Sequence, residues 1–162
     1  MSLPSGLSPW NPAAILSTWF WSGLLPKAPG SWGSLFTLPF AWVIALHWGT
    51  LGLLLAATIT FAVGIWSTSV FLAASTHKDP GAVVIDETAG QLLCLAAVPL
   101  DIWWYAAGFV AFRLADIFKF WPASWADRSL PGALGIMTDD IFAAVYAGAA
   151  LYVANRLIEG SL

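Results

Sequence analysis

A long apolar run from Leu35 to Ser75 contains no Asp, Glu, Lys or Arg. Its 41 residues are about twice the ~20 that one helix needs to cross a bilayer, so the stretch predicts two helices. Its one polar break, His47-Trp48-Gly49-Thr50, predicts a tight turn between helices at 35–47 and 51–76. Thirteen residues rise only ~20 Å, so the first helix is expected where the membrane is thin or where the helix is partly buried in the protein.

The composition indicates an integral membrane protein. Hydrophobic residues make up 59% of the chain and charged residues only 9%, whereas a soluble domain carries about 25% charge. Eleven tryptophans fit this class, because indole rings favour the lipid–water interface. The net charge of −3 gives no support for nucleic-acid binding, and the single cysteine, Cys94, excludes a thiolate metal cluster.

The remaining segments predict an all-α, polytopic membrane bundle of about five to six helices in a single domain, 1–162. Residues 1–11 are expected to be loose, and Asn11-Pro12 to start a short interfacial or re-entrant helix. Asp101 is interpreted as a helix cap without a chemical role. The predicted segments are a short helix from Ala13 to Trp21, a loop from Ser22 to Ser34, helices at Asp86–Val98 and Ile102–Phe120, a loop at Trp121–Leu134 and a last helix from Asp139 to Leu157.

The predicted helices form two antiparallel pairs, 35–47 with 51–76 and 86–98 with 102–120. The loops at 22–34, 77–87 and 113–140 therefore lie on one face of the bundle. That face holds five of the six Lys and Arg residues and seven of the nine Asp and Glu residues. The positive-inside tendency predicts that it is cytoplasmic. Its net charge, +5 − 7 = −2, would repel a dianionic phosphate unless a cation bridged the two.

Two pairs of adjacent acids are the strongest constellation on this face. Asp86-Glu87 and Asp139-Asp140 are each expected to open an apolar helix, where capping and the helix dipole already favour carboxylates. Stability alone does not explain why charge is kept at the mouths of membrane helices, where it is costly. Carboxylates are the ligands that Mg²⁺ takes, and Mg²⁺ leaves positions open for substrate phosphate. The pairs therefore predict a metal-dependent phosphatase site at a membrane surface.

Basic residues and a glycine-rich loop supply candidate phosphate contacts. Arg113, Asp116 and Lys119 fall within one ~120° sector of a helix; the simpler interpretation is a salt-bridge ladder, but the rest of this helix is apolar. Gly30 and Ser31 precede a helix and offer backbone N–H groups, although an ordinary turn explains them equally well. The other candidate phosphate-binding residues are Lys27, Asp79, Lys119 and Arg128.

Three segments together resemble the phosphatidylglycerophosphatase A family of bacteria. They are LLPKAPGSWGS, HKDPGAVVIDETAGQ and FRLADIFKFWPASWADRSLPGALGIMTDD, which stand in the family's order and spacing over most of residues 22–150. Phe120 stands where the family usually has Pro, and Gly132-Ala133 where it often has two glycines. Neither departure removes a charged group.

The resemblance implies an all-helical, Mg²⁺-dependent phosphatase of the bacterial inner membrane, acting at the cytoplasmic face on phosphatidylglycerophosphate. We expect Arg113, Asp116, Lys119 and Asp140 to be catalytic, and either a water or a carboxylate to be the nucleophile. A channel or carrier with an acidic ion site, and a phosphatase for another lipid phosphate, are the alternatives. The sequence leaves a homo-oligomer open. The expected metal ligands are Asp86, Glu87, Asp116, Asp139 and Asp140.

Overall fold

The computed structural model describes residues 2–77 and 79–160, and this part of the chain is helical, with no β-strand. The all-α prediction is therefore confirmed. A single 3₁₀ turn, Ser22–Leu24, connects the first helix to the second. The helices are α1 (Pro12–Ser17), α2 (Pro29–Ala74), α3 (Ile85–Leu95), α4 (Ile102–Phe118), α5 (Ala123–Ser129) and α6 (Gly132–Gly160).

Helix α2 is a hairpin of two limbs, 29–48 and 50–74, which are separated by Gly49. Gly49 has φ 59° and ψ −155°, outside the helical region. A Cβ at Gly52 would lie 3.5 Å from the carbonyl oxygen of Ile44, whereas a straight helix would separate residues eight apart by ~12 Å. The predicted turn at 47–50 is confirmed. The predicted start at Leu35 is wrong, because Pro29 already begins the helix. The first limb is therefore ~30 Å long and matches a bilayer core.

The N-terminal segment is packed and not loose. Leu7 is buried, and the indole Nε1 of Trp21 donates to the carbonyl of Pro9 at 3.1 Å. Asn11 caps α1 as expected. The helix ends at Ser17 and not at Trp21, because the hydroxyls of Ser17 and Thr18 bind carbonyls one turn back.

The last two predicted segments differ from the structure. The predicted loop at Trp121–Leu134 contains α5, and α6 begins at Gly132, where Pro131-Gly132 had indicated a loop. Asp139 and Asp140 are consequently the eighth and ninth residues of α6 and do not open it. They lie two turns inside a helix, where neither capping nor the helix dipole explains them.

Helix α3 is the centre of the bundle. It packs against both limbs of α2 and against α4 and α6. Its side chains Ala89, Leu92, Cys94 and Leu95 are buried. Because α3 starts and α4 ends at the same level, the acids of α3 meet the charged end of α4.

Two helices, α2 and α6, are long and apolar enough to cross a membrane. Only 17% of the most apolar window of α2 and 22% of that of α6 are buried, so both helices expose most of their apolar surface. Exposed apolar side chains along them include Val43, Leu55, Ile59 and Val153. At 11 and 17 residues, α3 and α4 are shorter than the ~20 residues of a typical crossing.

We expect Gly90→Ala to destabilise the bundle. A Cβ at Gly90 would lie 2.6 Å from the ring of Phe112 and 3.0 Å from the carbonyl oxygen of Asp140. Overpacking of this kind costs ~1–3 kcal/mol, more than the ~1 kcal/mol that Ala adds as a better helix former. The midpoint of thermal unfolding in detergent should fall by several degrees. In the control Gly160→Ala the new methyl group meets nothing within 4 Å, and equal midpoints for both variants would contradict the close packing.

Candidate active site

Five helices and the turn before α3 line one polar cavity of about 280 Å³, here called the acid cavity. The N-termini of α2 and α3, the C-terminal end of α4, residue Asp127 of α5 and the third turn of α6 all reach it. Seven acidic and two basic side chains line it, so its own residues carry a large negative charge. The charged residues are Asp79, Asp86, Glu87, Arg113, Asp116, Lys119, Asp127, Asp139 and Asp140.

Three of these carboxylates form a compact group. One oxygen each of Asp86, Glu87 and Asp140 lies within 4.8 Å of the others. Asp86 is 9% and Asp140 3% exposed, and the Glu87 side chain is 14% exposed. Each of the three also has a buried oxygen that receives no hydrogen bond from any described residue, namely Asp86 Oδ1, Glu87 Oε2 and Asp140 Oδ2. Buried charges normally have partners, so this group fits a bound cation.

The pKa values of both acids at the start of α3 are raised. The pKa of Asp86 is raised well above its ordinary value, first by burial and then by the negative charge of Glu87. Burial also raises the pKa of Glu87, although the nearby positive charge of Arg113 partly opposes this. A cation between these carboxylates would favour their charged forms and lower both pKa values.

The two basic residues of the acid cavity are already paired with its acids. Arg113 Nη1 lies 2.9 Å from Asp116 Oδ2 and 3.7 Å from Glu87 Oε1. Lys119 Nζ lies 2.6 Å from Asp139 Oδ2 and 3.1 Å from Asp127 Oδ1. Burial alone would lower the pKa of Lys119, but the hydrogen bond and charge of Asp139 raise it overall, so this lysine is charged.

Gly30 brings the start of α2 into direct contact with the site. A Cβ at this position would overlap Glu87 Oε1 and lie 2.9 Å from Arg113 Nη2. Only glycine therefore allows the helix N-terminus to come this close to the Glu87–Arg113 pair. Gly30 was predicted to contact phosphate through its backbone, and the structure places that backbone beside the cavity.

The structure brings the five acids predicted as metal ligands to one cavity but divides them into two sets. Asp86, Glu87 and Asp140 form the compact group, whereas Asp116 and Asp139 are held by Arg113 and Lys119. Their individual roles stay predictions.

The residues predicted to bind phosphate are more scattered. Lys27 is exposed and Ser31 half-buried, and neither lines the acid cavity. Asp79 lines it, whereas Arg128 lines a second, adjoining cavity of about 640 Å³. Lys78, counted with the charged face, lies outside the described residues.

Sequence reasoning missed Asp127 as a site residue. The available signal was its position beside Arg128 in a polar segment, but its contact with Lys119 depends on α5, which was not predicted.

The fold and the site together define a class of protein: an all-α apolar bundle whose helix ends surround a carboxylate group suited to a divalent cation. Residues 15–155 match the model of the Phosphatidylglycerophosphatase A family, and the chain belongs to this family.

Three relatives with similar sequences have names that refer to lipid phosphatases. The chain is 40% identical to Phosphatidylglycerophosphatase A of Escherichia coli K12 over 149 residues, 88% of this chain and 83% of that protein. It is 36% identical to Phosphatidylglycerophosphatase A of Haemophilus influenzae over 138 residues, 85% of each chain. It is also 37% identical over 158 residues, 89% of this chain and 94% of the relative, to a Bacteroides thetaiotaomicron protein named "Putative phosphatidylinositol-3-phosphatase". No solved structure matches the chain.

We expect Lys119→Met to destabilise the protein, because it removes the cation that holds the buried carboxylate of Asp139. Leaving a buried hydrogen-bonding group unpaired costs ~1–3 kcal/mol, and more when the group is charged. Adding Asp139→Asn should recover part of this loss in thermal or denaturant unfolding. The control is Arg156→Met, which breaks an exposed ion pair with Glu159 and should cost at most ~1 kcal/mol. Strictly additive effects of the two substitutions at 119 and 139 would contradict the pairing.

Proposed function

We propose that the chain is a membrane phosphatase that hydrolyses phosphatidylglycerophosphate to phosphatidylglycerol and inorganic phosphate. The observation that carries the proposal is the group of Asp86, Glu87 and Asp140, with three buried oxygens that lack hydrogen-bond donors, in a chain of this family. The reaction consumes one water, breaks the bond between phosphorus and the terminal glycerol oxygen, and leaves the lipid with a hydroxyl group.

Mg²⁺ is the proposed cofactor, and Asp86, Glu87 and Asp140 would hold it. When bound, it supplies positive charge to the phosphate oxygens and lowers the pKa of bound water. The donor set fits, because three carboxylates leave positions open for phosphate and water oxygens. Arg113 and Lys119 are already paired with acids, so a bound cation would supply the additional positive charge that a phosphate dianion needs in the acid cavity.

The remaining charged residues orient the site and its substrate. Arg113 fixes Asp116 and approaches Glu87, so it keeps the carboxylate group in place and presents its remaining N–H groups to phosphate. Lys119 does the same for Asp139 and Asp127. Burial of the group by α2 and α3 excludes bulk water and strengthens each of these charge interactions.

The names of the relatives point to lipid substrates with shared chemistry. Phosphatidylglycerophosphate and phosphatidylinositol 3-phosphate both carry a terminal phosphomonoester on a polyol that a phosphodiester joins to the lipid. The first is the substrate proposed here, because two relatives of this name align with 85% or more of the chain. The second is the alternative that one further relative favours.

We expect purified protein in mixed micelles to release phosphate from phosphatidylglycerophosphate, to lose activity in EDTA and to regain it with Mg²⁺. Asp86→Asn and Asp140→Asn should each lower kcat at least ~100-fold, because a metal site contributes several kcal/mol to the barrier. The unfolding midpoint should hold or rise, since each change removes a buried charge with an unpaired oxygen.

The control variant Glu159→Gln changes an exposed acid at the far end of α6 and should retain full activity. The same assay also measures phosphate release from phosphatidic acid and from phosphatidylinositol 3-phosphate, each at the same surface concentration. A faster reaction with either lipid would replace the proposed substrate, and full activity of both Asn variants would refute the metal site.

We further propose that the two limbs of α2 and helix α6 cross the bilayer, with the acid cavity at the cytoplasmic face. The first limb of α2 is ~30 Å long, begins at the cavity and ends at the Gly49 turn. The basic residues Lys27, Arg113, Lys119 and Arg128 belong to the cavity end, which agrees with the positive-inside tendency.

This orientation predicts opposite labelling of two introduced cysteines. In a Cys94→Ala background, a membrane-impermeant maleimide should label Lys27→Cys only in inverted vesicles and Thr50→Cys only in intact spheroplasts. Both positions are exposed, and they lie at opposite ends of the first limb of α2. Labelling of both from one side, or the reverse pattern, would contradict the proposed topology.

A further inference from the structure

The second cavity, here called the Arg128 cavity, adjoins the acid cavity and is about twice as large, at about 640 Å³ against 280 Å³. The two cavities share Asp79, Asp127 and Ile136 in their walls. Its other walls are the end of α2 with residues 75–77, the end of α5 and the start of α6. A molecule that occupies one cavity therefore meets the other directly.

Helix α5 turns adjacent charged residues to the two cavities. Asp127 faces the acid cavity, where its carboxylate pairs with Lys119 at 3.1 Å. Arg128 lines only the second cavity, and its Nε donates to the carbonyl of Ser124 at 2.8 Å. This bond uses only the Nε–H of the guanidinium group. Among the described residues, no carboxylate lies within ion-pair distance of the Arg128 side chain.

The chemistry of the Arg128 cavity differs from that of the acid cavity. Apart from Arg128, its polar wall contains His77 and the hydroxyl-bearing residues Ser75, Thr76 and Ser129. Its two acids are Asp79 and Asp127, and Asp127 shares Lys119 with Asp139. The compact carboxylate group lies elsewhere, so this cavity suits a singly charged anion that needs no divalent cation.

The two charge patterns match the two phosphates of the proposed substrate. A terminal phosphomonoester is a dianion and requires the cation-binding acids. A phosphodiester carries one negative charge and is suited to one arginine with hydroxyl neighbours. Leu72 and Ile136 form an apolar wall of the Arg128 cavity, at the end of the second limb of α2.

We propose that the Arg128 cavity binds the phosphodiester of the lipid while the acid cavity binds the scissile phosphomonoester, so that Arg128 determines specificity. This inference rests on the proposed function. It assigns Arg128 to the phosphate that is not cleaved, and it explains how the protein would distinguish phosphatidylglycerophosphate from phosphatidic acid, which lacks the diester.

The test compares Arg128→Gln with the wild-type protein, using inhibitors that each carry one of the two groups. Phosphatidylglycerol has only the diester, and inorganic phosphate resembles only the terminal group. For Arg128→Gln, the KM for phosphatidylglycerophosphate and the Ki for phosphatidylglycerol should rise by the same factor, about 10- to 100-fold, the loss expected for hydrogen bonds from a charged group. The Ki for inorganic phosphate and kcat should stay within about twofold.

Two further variants complete the experiment. Arg128→Lys keeps the charge but not the two-pronged donor geometry, so it should recover only part of the loss. Arg156→Gln, at the exposed end of α6, should behave as the wild type. An equal rise in the Ki of inorganic phosphate, a fall in kcat alone, or no change in either Ki would overturn the assignment. Wild-type protein that releases no phosphate would instead refute the proposed function.

Discussion

Like charges that share a buried cavity repel one another and lose the hydration that stabilises them in water. Asp86, Glu87 and Asp140 are in this situation, within 4.8 Å of each other and inside an apolar bundle. Two neighbouring acids, Asp116 and Asp139, are stabilised by basic side chains of the protein, but these three have oxygens without a donor in the described structure. Under the proposed function, a bound cation would supply the positive charge that these three acids lack.

Close helix packing makes this charge cluster possible. Gly30 lets the start of α2 approach Glu87, and Gly90 lets α3 lie against Phe112 and the backbone of Asp140. Because α3 contacts α2, α4 and α6, its acids lie beside the charged groups of α4 and α6 and the start of α2. The small residues of the bundle therefore allow the close helix contacts that bring the charged residues of the cavity together.

The sequence revealed the parts of this arrangement that depend on composition and spacing. The turn at Gly49 was predictable because it is the one polar break in a long uncharged run, and out-and-back helices then place the charged loops together. The start of α6 was not predictable, since Pro131-Gly132 has the composition of a loop but here begins a helix. The pairing of Asp127 with Lys119 was also not predictable, because it depends on α5, which packs against α6 and brings Asp127 to the end of α4. Local patterns indicated which residues matter, whereas their partners depend on packing between distant segments.

The depth of the acids along α6 has a consequence for how a lipid would be handled. Asp139 and Asp140 lie ~10 Å along the helix from its first residue, below the level at which the chain enters the bundle. A headgroup can bend down to this level while its fatty acids stay anchored among their neighbours. Under the proposed activity, cleavage would then require no extraction from the leaflet, and the shortened lipid would remain in place while the released anion leaves towards the aqueous side.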